Sequence, residues 1–401
     1  MTGHNRGQYS AAPSALGYFY QCRYALLEAL RRLSKGDRVC ISIETLDDVV
    51  FETDGSAVDV LQTKHHINSL ATLTDASPDL WKTLRIWIEG QADGTIPEDS
   101  QFFIVTTALC PNGTAAGYLR PESRDEQKAL QRLAATASTS SSYTNASAYK
   151  AFKSLDVDGC LRLLKAVMVL DGSPSIEQLD DRLREEVFYA VERRFLDSYL
   201  QRMEGWWYRR VLAHLTDSAA KSILGEELES EANRIRAQFK EDSLPVDDDI
   251  MRATVDASGY MDRHFVEQLN LIGVNQNRVL HAIRNYYRAF EQRSRWMREE
   301  LLYVGELDRY EERLVEEWDV LFQQMRDELG DDAAENEVIR AAQELYKWIE
   351  TGAHHKIRHS VTEPTIARGT YQMLADDLRV GWHLEFRERL QALLSTAGVS
   401  S

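Results

Sequence analysis

From Gly17 to Leu33 the segment GYFYQCRYALLEALRRL sets Tyr20, Tyr24, Leu27, Leu30 and Leu33 near one stripe. That spacing predicts an amphipathic helix. The period then changes. Val39–Thr45 (VCISIET), Asp47–Glu52 (DDVVFE) and Val58–His66 (VDVLQTKHH) read as three strands, with Asp54-Gly55 as a hairpin turn. Ser77-Pro78, an N-cap residue before a proline at the first helical position, opens a helix over Asp79–Gln91. Gln101–Thr107 (QFFIVTT) is a further strand of the buried type. Helix, three strands, helix, strand describes a compact α/β unit with a mixed sheet.

Past this unit the pattern becomes helical. The Ser/Thr/Ala run Thr136–Ser147 reads as a loop, and Leu161–Leu170 as one more strand. Helical spacing follows at Ile176–Val191 and Phe195–Leu215. The charged, proline-bearing stretch Glu241–Asp249 breaks the pattern. Arg278–Leu302, Glu306–Glu328, Glu335–Thr351 and Gln372–Leu394 again keep apolar residues at helical intervals. No repeat period stands out, so a solenoid is not supported. The expected organisation is an α/β domain over 1–225, a linker over 226–250 and an all-α domain over 251–401.

Charge sharpens this division. The 401 residues carry 47 Lys and Arg against 64 Asp and Glu, a net charge of −17. Residues 1–225 hold 25 basic against 29 acidic side chains, and residues 226–401 hold 22 against 35. A polycation that coats nucleic acid is excluded. Any phosphate contact is expected of the first domain, and the acidic second domain is better suited to protein. No uncharged apolar run of 18 residues occurs, and the N-terminus lacks an apolar h-region, so neither membrane spanning nor secretion is expected. The four cysteines, Cys22, Cys40, Cys110 and Cys160, lie far apart with no CxxC pair, which favours a reduced cytoplasm.

The sharpest chemical signal lies between Glu44 and Lys64. Strand one ends near Glu44, strand two opens with Asp47-Asp48, and strand three carries Gln62-Thr63-Lys64. Adjacent strands bring Asp48 and Gln62 together, and Gln62 and Lys64 share a face by the period of two. One sheet edge then presents carboxylates, an amide oxygen and an ammonium. Metal-assisted phosphodiester hydrolysis uses that set, since Mg²⁺ takes oxygen ligands and a lysine stabilises the charge that builds on phosphorus. The competing reading is a turn at Asp47-Asp48 and a solvated strand end at Lys64.

These residues resemble a known family. Asp48…Gln62-Thr63-Lys64 resembles the PD-(D/E)xK nuclease superfamily, restriction-endonuclease-like mixed sheets flanked by helices, in the variant with glutamine at the acidic position. The wider set is Gly17-Tyr18-Phe19-Tyr20-Gln21, Glu44-x-x-Asp47-Asp48 and Leu61-Gln62-x-Lys64-His65. It is similar to the double-stranded DNA endonuclease domain of effectors associated with CD-NTases and of several bacterial anti-phage systems. The resemblance implies that Asp48 and Gln62 hold Mg²⁺ or Mn²⁺, that Lys64 is catalytic, and that Glu44 supports the metal or the water. It also implies that Gln21 projects toward the site. With one carboxylate fewer than the plain motif, metal affinity is expected to be weak and activity to depend on assembly.

The second domain resembles a family too. Its residues are Arg284-x-Tyr286-Tyr287-Arg288-Ala289-Phe290-x-Gln292-Arg293-Ser294-x-Trp296, Glu306-Leu307-x-x-Tyr310-Glu311, Glu316-Glu317-Trp318 and Leu374-Ala375-Asp376-Asp377-Leu378-x-Val380-Gly381-Trp382-His383. They resemble the C-terminal domain of effectors in three-component systems built around an SMC-like ABC ATPase, the group that includes Lamassu. The implied partners are that ATPase, a small third subunit and double-stranded DNA. The effector is implied to be held by the complex and, once released, to act as a homo-oligomer. A non-catalytic adaptor with a degenerate nuclease fold, and an RNase on the same fold, remain as alternatives.

Other features are weaker. His354, His355 and His359 have zinc-like spacing but no acidic or cysteine partner at a telling distance, which favours a helix end or interface. His65-His66 read as exposed strand-end residues more readily than as phosphate contacts. Trp206-Trp207-Tyr208 before Arg209-Arg210 suggests packing between domains, since neighbours on a helix face different ways. Trp296, Trp318, Trp348 and Trp382 suggest anchors of the helical core or of an interface. No GxxxxGK[ST] segment occurs, so any ATP dependence would come from a partner.

Overall fold

The computed structural model describes residues 12–45, 48–53, 59–64, 72–217, 222–330, 332–352 and 354–397. The chain divides into two compact units, residues 1–235 and 236–401.

In the first unit, α1 (Ala12–Ser34) leads into β1 (Val39–Thr45), β2 (Asp48–Thr53) and β3 (Asp59–Lys64). Then come α2 (Pro78–Ala92), β4 (Gln101–Thr106), α3 (Ala115–Tyr118), α4 (Glu126–Thr139), α5 (Ala146–Lys153), α6 (Val157–Ala166) and β5 (Val167–Leu170). The helices α7 (Gln178–Glu186) and α8 (Leu196–Thr216), the short strand β6 (Ile223–Leu224) and α9 (Gly225–Ala237) complete it. The sheet runs β5-β4-β3-β2-β1-β6. β1, β2 and β3 form an antiparallel meander, β4 joins β3 and β5 joins β4 in parallel, and β6 closes the other edge against β1. The expected mixed α/β unit is present.

Alternation along the strands explains the layers. Val50, Val60, Phe102, Ile104, Val167 and Val169 join one buried cluster with Leu80, Trp81, Leu84 and Trp87 of α2, and α4, α5 and α6 extend it. The opposite face carries Ile41, Ile43, Val49 and Phe51, all buried, and belongs to α1: Arg32 stacks over Phe51 at 4.5 Å and pairs with Asp59 at 2.8 Å. α1 is tied in turn to α7 and α8, because Arg23 bonds Asp180 at 2.8 Å and Glu204 at 2.6 Å. Trp207 is fully buried and donates its indole N–H to the Cys22 carbonyl at 2.8 Å. Tyr208 meets Phe19 edge-to-face at 5.9 Å. Trp207 and Tyr208 thus pack inside the first unit, where the sequence suggested packing between domains.

Four more expectations need correction. The Thr136–Ser147 loop is shorter, since α4 continues to Thr139 and α5 starts at Ala146. Leu161–Leu170 is mostly helix: α6 ends at Ala166 and only Val167–Leu170 is strand, in an apolar run whose periodicity fits either state. The linker over 226–250 holds α9, whose charged face hides buried Leu228 and Ile235. Ser77 makes no capping bond, so Pro78 at the first turn sets the start of α2.

In the second unit, α10 (Asp248–Met251), α11 (His264–Leu271), α12 (Gln276–Arg298), α13 (Glu306–Leu329), α14 (Glu335–Thr351), α15 (Pro364–Asp376) and α16 (Phe386–Ala397) form an irregular bundle. One helix over 372–394 was expected; the chain instead leaves α15 at Asp376, passes Leu378 at φ 58°, and re-enters helix at Phe386. The crossing of α12 and α15 depends on Gly369, where a Cβ would lie 2.0 Å from the Asn285 carbonyl oxygen and 2.4 Å from the Ala289 methyl. Gly381 is under a similar constraint from the Phe386 ring, 2.2 Å from where a Cβ would be. No described helix is long and apolar enough to cross a membrane.

Candidate active site

β2 pairs with β3 through Val49↔Leu61, Val50↔Val60 and Phe51↔Asp59. One residue further, the register puts Asp48 across from Gln62. β1 reaches the same place: a bulge interrupts the ladder between Ile43 and Thr45, at Glu44, and Thr45 pairs with Asp48. Lys64 closes β3 opposite Thr106 of β4. Backbone positions of all four candidates, Glu44, Asp48, Gln62 and Lys64, therefore gather at one end of the central strands. The side chains of Glu44, Asp48 and Lys64 lie outside the described residues, as do Asp47, Asp54-Gly55 and His65-His66.

Gln62 is described in full. It is 3% exposed and stands on the face covered by α2. Its Oε1 accepts the Thr83 hydroxyl at 2.9 Å, and Thr83 is itself fully buried. A buried amide left free to rotate would present oxygen and nitrogen alternately; the Thr83 donor holds the oxygen in one direction. A carbonyl oxygen has two lone pairs and can in general accept a hydroxyl and ligate a cation together. That donor chemistry fits Mg²⁺ or Mn²⁺. Thr83 was missed from the sequence. Its only signal is a lone hydroxyl on the apolar stripe Leu80, Trp81, Leu84, Trp87.

Gln21 is 7% exposed on α1, which covers the face opposite Gln62. The structure does not bring it to the Gln62–Thr83 pair. Near the ends of β4 and β5, the Asp171 carboxylate accepts the Cys110 amide at 2.7 Å. Burial, with Asp171 alongside, pushes the Cys110 thiol up to about 12, so it is no nucleophile. The Glu204 carboxyl is lifted above its usual range by burial, which outweighs the nearby Arg23.

Of the three histidines with zinc-like spacing, His354 packs within the second unit, while His355 and His359 are exposed. His354 bonds the Ile349 carbonyl at 2.8 Å, lies 3.6 Å from Glu317, and stacks edge-on against Trp348 and Tyr371. Among the described residues no group of three His, Cys, Asp or Glu side chains is placed to hold a metal ion. Several motif residues of this unit are interior as well: Trp296 and Trp382 are fully buried, Trp318 is 6% and Tyr286 7% exposed. Gln292 clamps the 245–247 segment through the Pro245 carbonyl, the Asp247 amide and the Asp247 carboxylate. Gln268 bonds the Ala375 and Val380 carbonyls and accepts the Trp382 amide. Of the two roles the sequence offered for the tryptophans, these three take the core.

No curated protein matches the chain in sequence. Among solved structures it is similar in part to the Cap4 SAVED/CARF-domain containing receptor of Moraxella osloensis, at 14% identity and a TM-score of 0.34 over 69% of this chain and 68% of that one. The corresponding receptor of Acinetobacter baumannii shows 13% identity and a TM-score of 0.33 over 68% of this chain and 60% of that one. Within the helical unit, residues 265–390 match the family model of C-terminal domain 7 of the ABC-three component (ABC-3C) systems, which supports membership of such a multi-component defence system.

Proposed function

We propose that the first unit is a Mg²⁺-dependent endonuclease acting on double-stranded DNA, and that the chain is the effector of an ABC three-component defence system. The observation that supports this most is the β2–β3 register, which brings Asp48 across from Gln62 with Lys64 two residues further along β3. A helix, an antiparallel three-strand meander and a parallel fourth strand are also the arrangement expected of the PD-(D/E)xK superfamily. Asp48 and Gln62 hold the cation, which supplies charge neutralisation at the phosphate and acidifies water. Lys64 stabilises the negative charge that grows on the phosphorane oxygens. Glu44, at the bulge of β1, orients the attacking water or backs the cation's ligands. Thr83 keeps the Gln62 oxygen aimed.

The second unit docks the effector on its ATPase complex. Support comes from the match over residues 265–390 and from the acidic excess of residues 226–401. With one carboxylate replaced by Gln62, the free effector binds metal weakly, so release and oligomerisation raise activity by multivalent contact with DNA. The narrower assignment, a Lamassu-type nuclease subunit, rests on the motif resemblance.

Supercoiled plasmid and Mg²⁺ test the reading. Wild type is expected to nick and linearise the plasmid, and Lys64→Ala to leave it intact while melting like wild type. Equal cleavage by both would remove the nuclease assignment from this site.

A further inference from the structure

Residues 127–155 carry Lys128, Arg132, Lys150 and Lys153 and no Asp or Glu, in a chain of net charge −17. This stretch makes up almost all of α4, the loop after it, and α5. Two of the cations are neutralised locally: Lys128 lies 2.8 Å from Asp125 and Arg132 2.9 Å from Asp75. Lys150 and Lys153, one turn apart on α5, are exposed and have no ion pair among the described residues. They border an open groove of about 750 Å³ whose other wall is the hydroxyl run Ser140, Ser141 and Ser142. Behind that loop lies a second recess, of about 250 Å³, lined by Asp79, Lys82 and Arg85 of α2 with Thr144 and Ser147, and Arg85 also lies 4.0 Å from Glu89. Arg85 donates to the Ser147 hydroxyl at 3.1 Å and so joins the two helices. Lys82 and Arg85 flank Thr83, the residue that holds Gln62.

We infer that this shelf, from Lys82 and Arg85 across the 140–145 loop to Lys150 and Lys153, is where the phosphate backbone of duplex DNA runs. The choice of duplex DNA rests on the nuclease reading above; the placement rests on the charge and the hydroxyls. Ammonium groups and serine or threonine hydroxyls bind phosphate oxygens without regard to base sequence. The exposed ring on the shelf is Tyr143, 96% exposed, and one ring does not make the row of platforms that single strands use. A backbone track starting beside Thr83 would feed a phosphodiester toward the strand ends that carry the candidate site.

The test is duplex binding by the full chain carrying Lys64→Ala, followed by fluorescence anisotropy across a salt series. Adding Lys150→Glu and Lys153→Glu is expected to weaken binding on the order of tenfold and to lower the slope of log K against log salt by about two. Lys347→Glu, an exposed lysine of the other unit, is expected to change neither, and all variants should melt alike. Unchanged affinity and slope in the double variant would overturn the inference, and so would a loss confined to RNA or single strands. Plasmid cleavage with native Lys64 separates the two readings. Should the chain cut and the double variant cut equally at every DNA concentration, the shelf is wrong and the nuclease stands. Should the chain never cut, yet lose duplex binding with the two lysines, the shelf stands and the nuclease reading falls.

Discussion

Both units carry a recognisable set of residues, but the two sets do different physical work. In residues 1–235 the set falls at strand ends, where the strand register and a bulge bring the backbone positions of Glu44, Asp48 and Lys64 to the same end as one buried amide. In residues 236–401 much of it falls inside the bundle, where Gln292 ties down the 245–247 segment and Trp296 and Trp382 fill volume, while Arg284, Phe290 and Glu316 stay exposed. Under the proposed function, a motif that marks chemistry in one unit has a counterpart in the other whose buried members mark packing. Under the proposed docking role, contact residues of the second unit are to be sought among exposed side chains, such as Phe290 and Met297 on α12, 45% and 56% exposed.

The largest contrast should come from the proposed catalytic set. Asp48→Ala is expected to abolish Mg²⁺ binding by titration calorimetry together with plasmid cleavage, while Gln62→Glu, which adds a carboxylate, retains or strengthens the metal. Neither change should move the melting of the second unit. Asp48→Ala that binds Mg²⁺ like wild type would dissolve the distinction between the two sets.

The converse change is Trp382→Ala. Removing a fully buried indole leaves a cavity, and the expected cost is about 3–5 kcal/mol. Hydrogen exchange should show residues 236–401 losing protection while the strands of the first unit keep theirs. Protection retained throughout would mean that Trp382 is not structural.

How far these roles were legible in sequence follows from how local their causes are. The three strands and their register could be read, because alternation and the spacing of Asp48, Gln62 and Lys64 are properties of neighbouring residues. The Gln62–Thr83 bond could not, since it depends on how α2 lies on the sheet. The run LLKAVMVL divides into α6 and β5 only because Val167 and Val169 find partners on β4. The charged segment of α9 reads as linker until Leu228 and Ile235 are seen to be buried. A tryptophan beside an arginine looks the same in a sequence whether it anchors a core or a partner.

Thr83→Val sharpens the first unit's side at smaller amplitude. It keeps the shape and removes the hydroxyl that the Gln62 oxygen accepts. Supporting partners of metal ligands commonly matter 10–100-fold in affinity or activity, and a loss of about that size in cleavage is expected. Thr83→Ser should restore it. A Val variant as active as wild type would mean that the amide needs no support.

The smallest effect concerns pH and belongs to the second unit. His383 is 2% exposed, and its Nδ1 accepts the Glu385 amide at 3.1 Å, a bond only the neutral ring can make. Burial holds its pKa below the ordinary 6.5, helped by the Arg389 guanidinium and opposed by Glu335 and Glu385. Because the unfolded ring takes its proton at higher pH than the folded one, stability rises with pH across this window. The full contribution is present above about 6.5 and is lost as pH falls toward the lowered folded value. Melting of the second unit should accordingly drop between pH 7 and 5 in wild type. His383→Asn keeps an acceptor at the δ position and does not titrate, so its melting should fall less over the same interval. An equal fall in both would place the acid sensitivity of the bundle in its carboxylates, such as Glu306 beside Arg358 and Glu317 beside His354, whose pKa values lie below the usual range.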